Sequence, residues 1–320
     1  MNELIPVAAL SIAMVIDWRL GDLPNRLHPV VAMGHWITWT RRQGLKVHSS
    51  ALRFAIGATS LLFGIMVIAV IGWSMERLSR EVPCILAIFI QAAVLKCTFS
   101  IRSLAAAADA VASALHTRDL SLARQQLAYH LVSRDTSQLD ESSIAAAAVE
   151  SVAENTSDSF IAPLIYFAVG GLPGALVYRY INTCDAMLGY RTPDLEWLGK
   201  PAARADDLVN WLPARVTALL MLLVGPTRQA WEGSIERRTA VSIWMRDHRL
   251  TASPNAGHPM SAAAGLLGVM LEKHGHYRLG EGQSLPTVAS IDSVNSLLYR
   301  TSIAGSMLAL AWLICTPTYN

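Results

Sequence analysis

Three carboxylates recur at every fourth position in the stretch Glu150-Ser-Val-Ala-Glu154-Asn155-Thr156-Ser157-Asp158. On a helix, Glu150, Glu154 and Asp158 would share one face and repel one another unless a cation sits among them. Two readings compete: a Mg²⁺ or metal-phosphate site, since hard oxygen ligands suit Mg²⁺, and a solvated acidic face. Asp158 abuts an apolar run that begins at Phe160, and ionisable groups at a membrane boundary generally serve a purpose. The tetrad Asn155-Thr156-Ser157-Asp158 is echoed by Asn182-Thr183-Cys184-Asp185, so two Asn/Asp pairs flank the same apolar run and are placed to converge on one ion or phosphate. A third cluster, Arg204-Ala-Asp206-Asp207-Leu-Val-Asn210 followed by Arg215, alternates acid and base, and salt bridging is its bland alternative. Near the N-terminus Asp17, Asp22 and His28 stand in a Gly/Pro turn region, where a lone histidine is either a binding group or a satisfied structural one. The block Ser253-Pro254-Asn255-Ala-Gly257-His258-Pro259-Met260 forms a turn into an Ala/Gly-rich stretch suited to close helix packing. The chain has no Walker loop, dinucleotide fingerprint, zincin motif or nucleophile elbow.

The elements that must hold these groups are set by hydropathy. Of 320 residues 52% are hydrophobic and 16% charged, against roughly a quarter charged in a soluble domain, and the mean hydropathy is +0.35. A net charge of +2 provides no basic field for nucleic acid. Residues 54–73 form a twenty-residue run free of charge, long enough for a bilayer core of about 30 Å. Shorter apolar segments are expected near 4–16, 82–95, 212–226 and 301–317. Glu3 ahead of the first and Asp17 behind it argue against a signal peptide. The run 160–178 is interrupted by Gly170, Gly171, Pro173 and Gly174; such a break leaves backbone groups that lipid cannot satisfy, so this segment is expected to be broken or re-entrant. A straight helix would hold its flanks roughly 28 Å apart, whereas a bent hairpin lets 155–158 and 182–185 face one polar pocket, walled by 206–215, Asp22 and His28.

Arg19, Arg26, Arg41, Arg42, Lys46 and Arg53 put residues 17–53 on the cytoplasmic side by the positive-inside rule. Return through 82–95 leaves 96–159 there as amphipathic helices, and Arg228, Arg237, Arg238, Arg246 and Arg249 favour the same side for the polar region 227–300. Cys84, Cys97, Cys184 and Cys315 lie far apart and read as small apolar residues. The expected architecture is all-α: a single polytopic integral membrane domain over 1–320 with four to six apolar segments.

Taken together, these blocks resemble the CbiB/CobD family of cobalamin biosynthesis, the membrane adenosylcobinamide-phosphate synthases. The likeness rests on Gly21-Asp22 with His28-Pro29-Val30, Ser133-Arg134-Asp135-Thr136, Val149 to Asp158, Ile161-Ala162-Pro163-Leu164, Asn182 to Tyr190, Ala203-Arg204-Ala-Asp206-Asp207, Leu212-Pro213-Ala214-Arg215 and Ser253-Pro254-Asn255-Ala256-Gly257, in order over residues 17–280. One departure is Leu23, where the family usually places proline; here Pro24 follows one position later.

The resemblance implies ATP-dependent amide ligation of adenosylcobyric acid with (R)-1-aminopropan-2-ol phosphate or a related aminoalcohol phosphate, with Mg²⁺ as cofactor and ATP as co-substrate. It implies an inner-membrane, multi-pass protein with a cytoplasm-facing site, a corrinoid partner, contact with other late cobalamin-assembly membrane enzymes and homo-oligomers. On that footing Glu150, Glu154, Asp158 and Asp185 are the expected catalytic carboxylates. Glu154, Asp158, Asp185, Asp206 and Asp207 are the expected metal ligands. Arg134, Arg191, Arg204 and Arg215 are expected phosphate clamps, with Asp22, His28, Asn155, Asn182 and Asn255 binding substrate. Two other readings use the same motifs: Mg²⁺-dependent transfer from a diphosphate substrate in the membrane, and a non-catalytic signalling modulator of the AmpE type. A transporter is a further alternative, since broken helices also mark ion pathways.

Overall fold

The structure, a computed structural model, describes residues 4–22, 24, 28–225 and 232–316, without the side chains of 232–236. Leu23, Arg26, Arg228 and the far ends of the segments expected at 212–226 and 301–317 lie outside the described residues. The elements in order are α1 (Ile5–Leu20), α2 (Pro29–Leu45), α3 (Ser50–Arg80), α4 (Cys84–Lys96), α5 (Arg102–His116), α6 (Leu120–His130), α7 (Glu141–Thr156), a π-helical turn (Ser157–Ile161), α8 (Ala162–Leu188), α9 (Glu196–Val209), α10 (Trp211–Val224), α11 (Glu232–Asp247), α12 (Gly257–Leu267), the strands β1 (Leu271–Lys273) and β2 (Tyr277–Leu279), and α13 (Val288–Cys315). The architecture is all-α and polytopic, with one small antiparallel hairpin. Two compact units are formed, Met1–Ser100 with Ala162–Asn210 and Leu308–Asn320, and Ile101–Ile161 with Trp211–Met307.

In the first unit α3 carries the run 54–73. Leu62, Met66, Val70 and Trp73 form an exposed apolar stripe, the side that lipid solvates, while Gly57, Leu61, Gly64 and Gly72 are buried. Gly72 admits α8: a Cβ there would lie 2.7 Å from the Pro173 Cα, so only a residue without a side chain allows this contact.

The break at 170–174 folds the chain back on itself. Gly171 adopts φ 60°, ψ −154° inside α8, a conformation open to glycine and costly for any other residue. Tyr166 and Tyr178 then stack with ring centroids 5.2 Å apart and planes at 12°, although twelve straight helical residues would separate them by about 18 Å. The bent hairpin expected from Gly-Gly-x-Pro-Gly is therefore present. Of the other expected segments, 54–73 and 301–315 lie in helices of crossing length, and the described part of 212–226 lies in α10, which counts toward a span only when paired with α9. Segments 4–16 and 82–95 are helical but form α1 and α4, of 16 and 13 residues; at 1.5 Å per residue neither spans a bilayer core alone.

In the second unit α7 is the central element. Its alanine run from Ala145 to Ala148 is buried, letting α5, α6, α12 and β1 approach closely. Asp140 caps it by accepting from the Ser143 N–H at 2.8 Å.

Candidate functional site

In the second unit, four residues anticipated from the sequence meet in one cavity of about 180 Å³: Arg134, Glu150, Glu154 and Asn155 line it with Ser151, Lys273 and Tyr277. Arg134 arrives on the loop after α6, whose shape is fixed locally. Asp135 accepts from the Ser137 backbone N–H at 2.9 Å, and the Thr136 hydroxyl donates to the Arg124 carbonyl at 3.0 Å. Glu150 and Glu154 come from successive turns of α7, as their spacing requires. Lys273 and Tyr277 are register partners in the hairpin, so their side chains leave on one face. The hairpin is anchored by Asp247, whose carboxylate accepts from the Gly280 N–H at 2.7 Å.

Arg134 Nη2 approaches Glu150 Oε2 at 3.5 Å. Glu150 is 6% exposed, and its Oε1 has no hydrogen-bond partner. Burial, followed by the charges of Glu150 and Glu154, raises the Tyr277 phenol above its ordinary value, so it remains a neutral donor. Asp158 departs from the expected one-face stack: it lies in the π turn and is absent from the cavity wall. The i→i+5 bonding of that turn shifts the helical phase away from the α repeat that aligns Glu150 with Glu154.

Elsewhere in this unit, Arg215 donates to Asn255 Oδ1 at 3.3 Å and stacks over Trp211. Beside them His258 Nδ1 accepts from the Trp244 indole at 3.1 Å.

In the first unit Asp206 is enclosed by amides: Asn182 donates to one carboxylate oxygen at 3.3 Å and Asn210 to the other at 2.9 Å. Tyr178 donates to Asn210 Oδ1 at 2.8 Å, and its stacking partner Tyr166 donates to the Val209 carbonyl at 2.9 Å. The folded-back arms of α8 are thus pinned to the end of α9. Asp207 lies 3.8 Å from the exposed Arg204, the salt-bridging alternative at that pair, and Arg191 is exposed. Asp185 is half-buried one turn before Gly189. Asp22 accepts from Lys96 at 2.7 Å and from Ser100 at 2.8 Å, and Lys96 also meets Asp17 at 3.0 Å. His28 caps α2 by accepting from the Val30 N–H. The N-terminal motif thus ties the end of α1 to α4 and caps α2.

The echoed tetrads share a local device. Thr156 and Thr183 each donate to the carbonyl four residues earlier, Val152 and Arg179, which satisfies a polar group within a buried helix. Among the described residues no three His, Cys, Asp or Glu side chains gather as a metal site. Lys273 and Tyr277 escaped sequence reasoning, although Glu272-Lys273-His274-Gly275-His276-Tyr277-Arg278 carries a hairpin signal in its central glycine.

The family described as CobD/Cbib protein matches residues 10–302. Curated relatives include the cobalamin biosynthesis protein CobD of Dehalococcoides mccartyi, 41% identical over 270 residues that cover 84% of this chain and 85% of that one. The probable cobalamin biosynthesis protein CobD of Methanothermobacter thermautotrophicus is 37% identical over 318 residues, covering 95% and 99%. The cobalamin biosynthesis protein CobD of Chromobacterium violaceum is 38% identical over 315 residues, covering 94% and 95%. No solved structure matches the chain.

Proposed function

The chain belongs to the CobD/Cbib family, and from that membership we propose that it serves cobalamin biosynthesis as an ATP-dependent amide ligase. The reaction would join a propionate carboxylate of adenosylcobyric acid to the amine of (R)-1-aminopropan-2-ol phosphate, or of a relative such as ethanolamine phosphate. A carboxylate resists attack by an amine until one of its oxygens becomes a leaving group. Transfer of the ATP γ-phosphoryl group to that oxygen gives an acyl phosphate and ADP; attack by the deprotonated amine then forms the C–N bond and releases phosphate. The protein must supply cations to the developing phosphoryl charge and a carboxylate to receive the ammonium proton. The observation that carries the reading is the second-unit cavity, where Arg134 and Lys273 face Glu150 and Glu154.

Mg²⁺ accompanies ATP and spreads charge on the phosphates when bound. The donor set fits a cation of that habit: Mg²⁺ is commonly held by one or two carboxylates plus substrate phosphates, and Glu154 on the cavity wall would supply one. Asp206 accepts from the amides of Asn182 and Asn210, which fix the direction of its carboxylate. The substrates are cytoplasmic, which puts the site on the cytoplasmic side of the inner membrane.

The test is purified protein in detergent with cobyric acid, ethanolamine phosphate and Mg-ATP, with mass spectrometry for the amide. Glu154→Gln, Asp158→Asn and Asp185→Asn are expected to lose ligation while still inserting and folding, since each removes one charge at nearly constant volume. Wild-type turnover in all three would return these carboxylates to a structural role.

A further inference from the structure

A second cavity, of about 300 Å³, is lined by Arg134, Asp135, Ser143, Lys273 and His276 among others. It shares Arg134 and Lys273 with the 180 Å³ cavity that holds Glu150 and Glu154. Carboxylates from α7 thus line one end, two cations stand where the cavities meet, and Asp135 and Glu272 line the larger cavity beside His274 and His276. The smaller space falls below the roughly 300–1,000 Å³ of pockets for drug-sized ligands, and the larger lies at the lower bound of that range.

Glu150 Oε1 is the informative atom. It is buried and lacks a hydrogen-bond partner, a state that costs free energy until a donor arrives, and its residue lines the smaller cavity. Its other oxygen has a long contact to Arg134 at 3.5 Å, and the Tyr277 phenol interacts with the same carboxylate. The Arg134 guanidinium is planar and suited to a phosphate edge. Lys273 forms no salt bridge among the described residues, whereas its neighbour Glu272 pairs with Arg278 at 2.9 Å and His274 at 3.3 Å. The hairpin thus spends its acidic residue on its own basic ones and leaves the Lys273 ammonium to the cavity.

We propose that Glu150 and Lys273 are the specificity-determining pair of a seat for a small zwitterion, with the ligand's ammonium on Glu150 and its phosphate monoester on Lys273 and Arg134. Under the ligase reading, on which its biological meaning rests, this zwitterion is the amine substrate, and the pair is why the site demands a phosphorylated aminoalcohol. A free aminoalcohol satisfies only the carboxylate end, and inorganic phosphate only the cationic end.

Calorimetric titration of the full chain in detergent, without ATP or corrinoid, tests the seat with ethanolamine phosphate, ethanolamine and inorganic phosphate as probes. Wild type is expected to bind ethanolamine phosphate at least about tenfold tighter than either half-ligand, a difference of about 1.4 kcal/mol. Lys273→Met should erase the preference over ethanolamine, with Lys273→Arg restoring it. Glu150→Gln should weaken ethanolamine phosphate about tenfold and leave inorganic phosphate unchanged. Equal wild-type affinities, no binding of ethanolamine phosphate, or an undiminished preference in Lys273→Met would overturn the assignment. A zwitterion preference without amide formation in wild type would sink the ligase reading and leave the seat standing; ligation with an undiminished preference in Lys273→Met would do the reverse.

Discussion

The Trp244 indole fixes which nitrogen of His258 carries the proton: Nδ1 accepts, so in the neutral ring the hydrogen is on Nε2, which is buried without a partner. Burial, then the charges of Arg215, His248 and Arg249, lowers its pKa from 6.5 to about 4. An unfolded chain protonates this ring near 6.5 while the folded one resists until about 4, so the unfolded state binds more protons between those values and stability falls as the pH drops through them. The contribution is complete above 6.5 and has levelled off below about 4. Unfolding midpoints in detergent from pH 8 to 4 should therefore decline less steeply in His258→Gln than in wild type, within that window alone; parallel curves would refute it. At this scale the sequence was most legible where spacing was local. Glu150 and Glu154 share a cavity as an i,i+4 pair must, while Arg134 was placed with them only through motif resemblance. Lys273 and Tyr277 were not legible, because their meeting with Glu150 depends on contacts far apart in the chain.

Among the elements, the hairpin in α8 is the most demanding of its residues. Gly171→Ala should destabilise the protein by about 1–3 kcal/mol, the usual cost of backbone held in a region closed to side chains, and the new Cβ would sit 2.5 Å from Glu76 Oε2. Gly170→Ala is the control: a Cβ there meets nothing within 4 Å, so it should be neutral or slightly stabilising. Thermal unfolding of the two variants separates them, and equal midpoints would show that the bend tolerates alanine. The Gly/Pro cluster made the break visible in advance, whereas the π turn was invisible. Nothing in Ser157-Asp158-Ser159-Phe160-Ile161 marks an i→i+5 pattern, and the regular carboxylate spacing concealed the phase shift that moves Asp158 off the stack.

On the scale of the whole molecule, composition and the charge-free run 54–73 were enough to establish a polytopic helical protein, and the apolar runs at 4–16 and 82–95 are short in the sequence as α1 and α4 are in the structure. Sidedness is accordingly the quantity to measure. Single cysteines replacing Lys46 and the exposed Tyr129, in a background without the native four, should react with an impermeant thiol reagent only from the cytoplasmic side of inverted vesicles. Reaction at Lys46 from the periplasmic face would reverse the assignment drawn from the arginines of 17–53, and reaction at Tyr129 from that face would show that α4 does not return the chain.

The fold-back at Gly171 also affects how crossings are counted. Hydropathy treats 160–178 as one passage, whereas a re-entrant reading of the fold-back that rests Tyr166 on Tyr178 has the chain leave this stretch on the side from which it entered. On that reading the segment contributes an even number to the crossing tally, so any map that scores it as odd inverts the assigned side of every residue after Tyr178. A reporter fused just before Phe160 and another just after Leu188 should therefore give the same sign, and that parity can be read in living cells without purifying the protein.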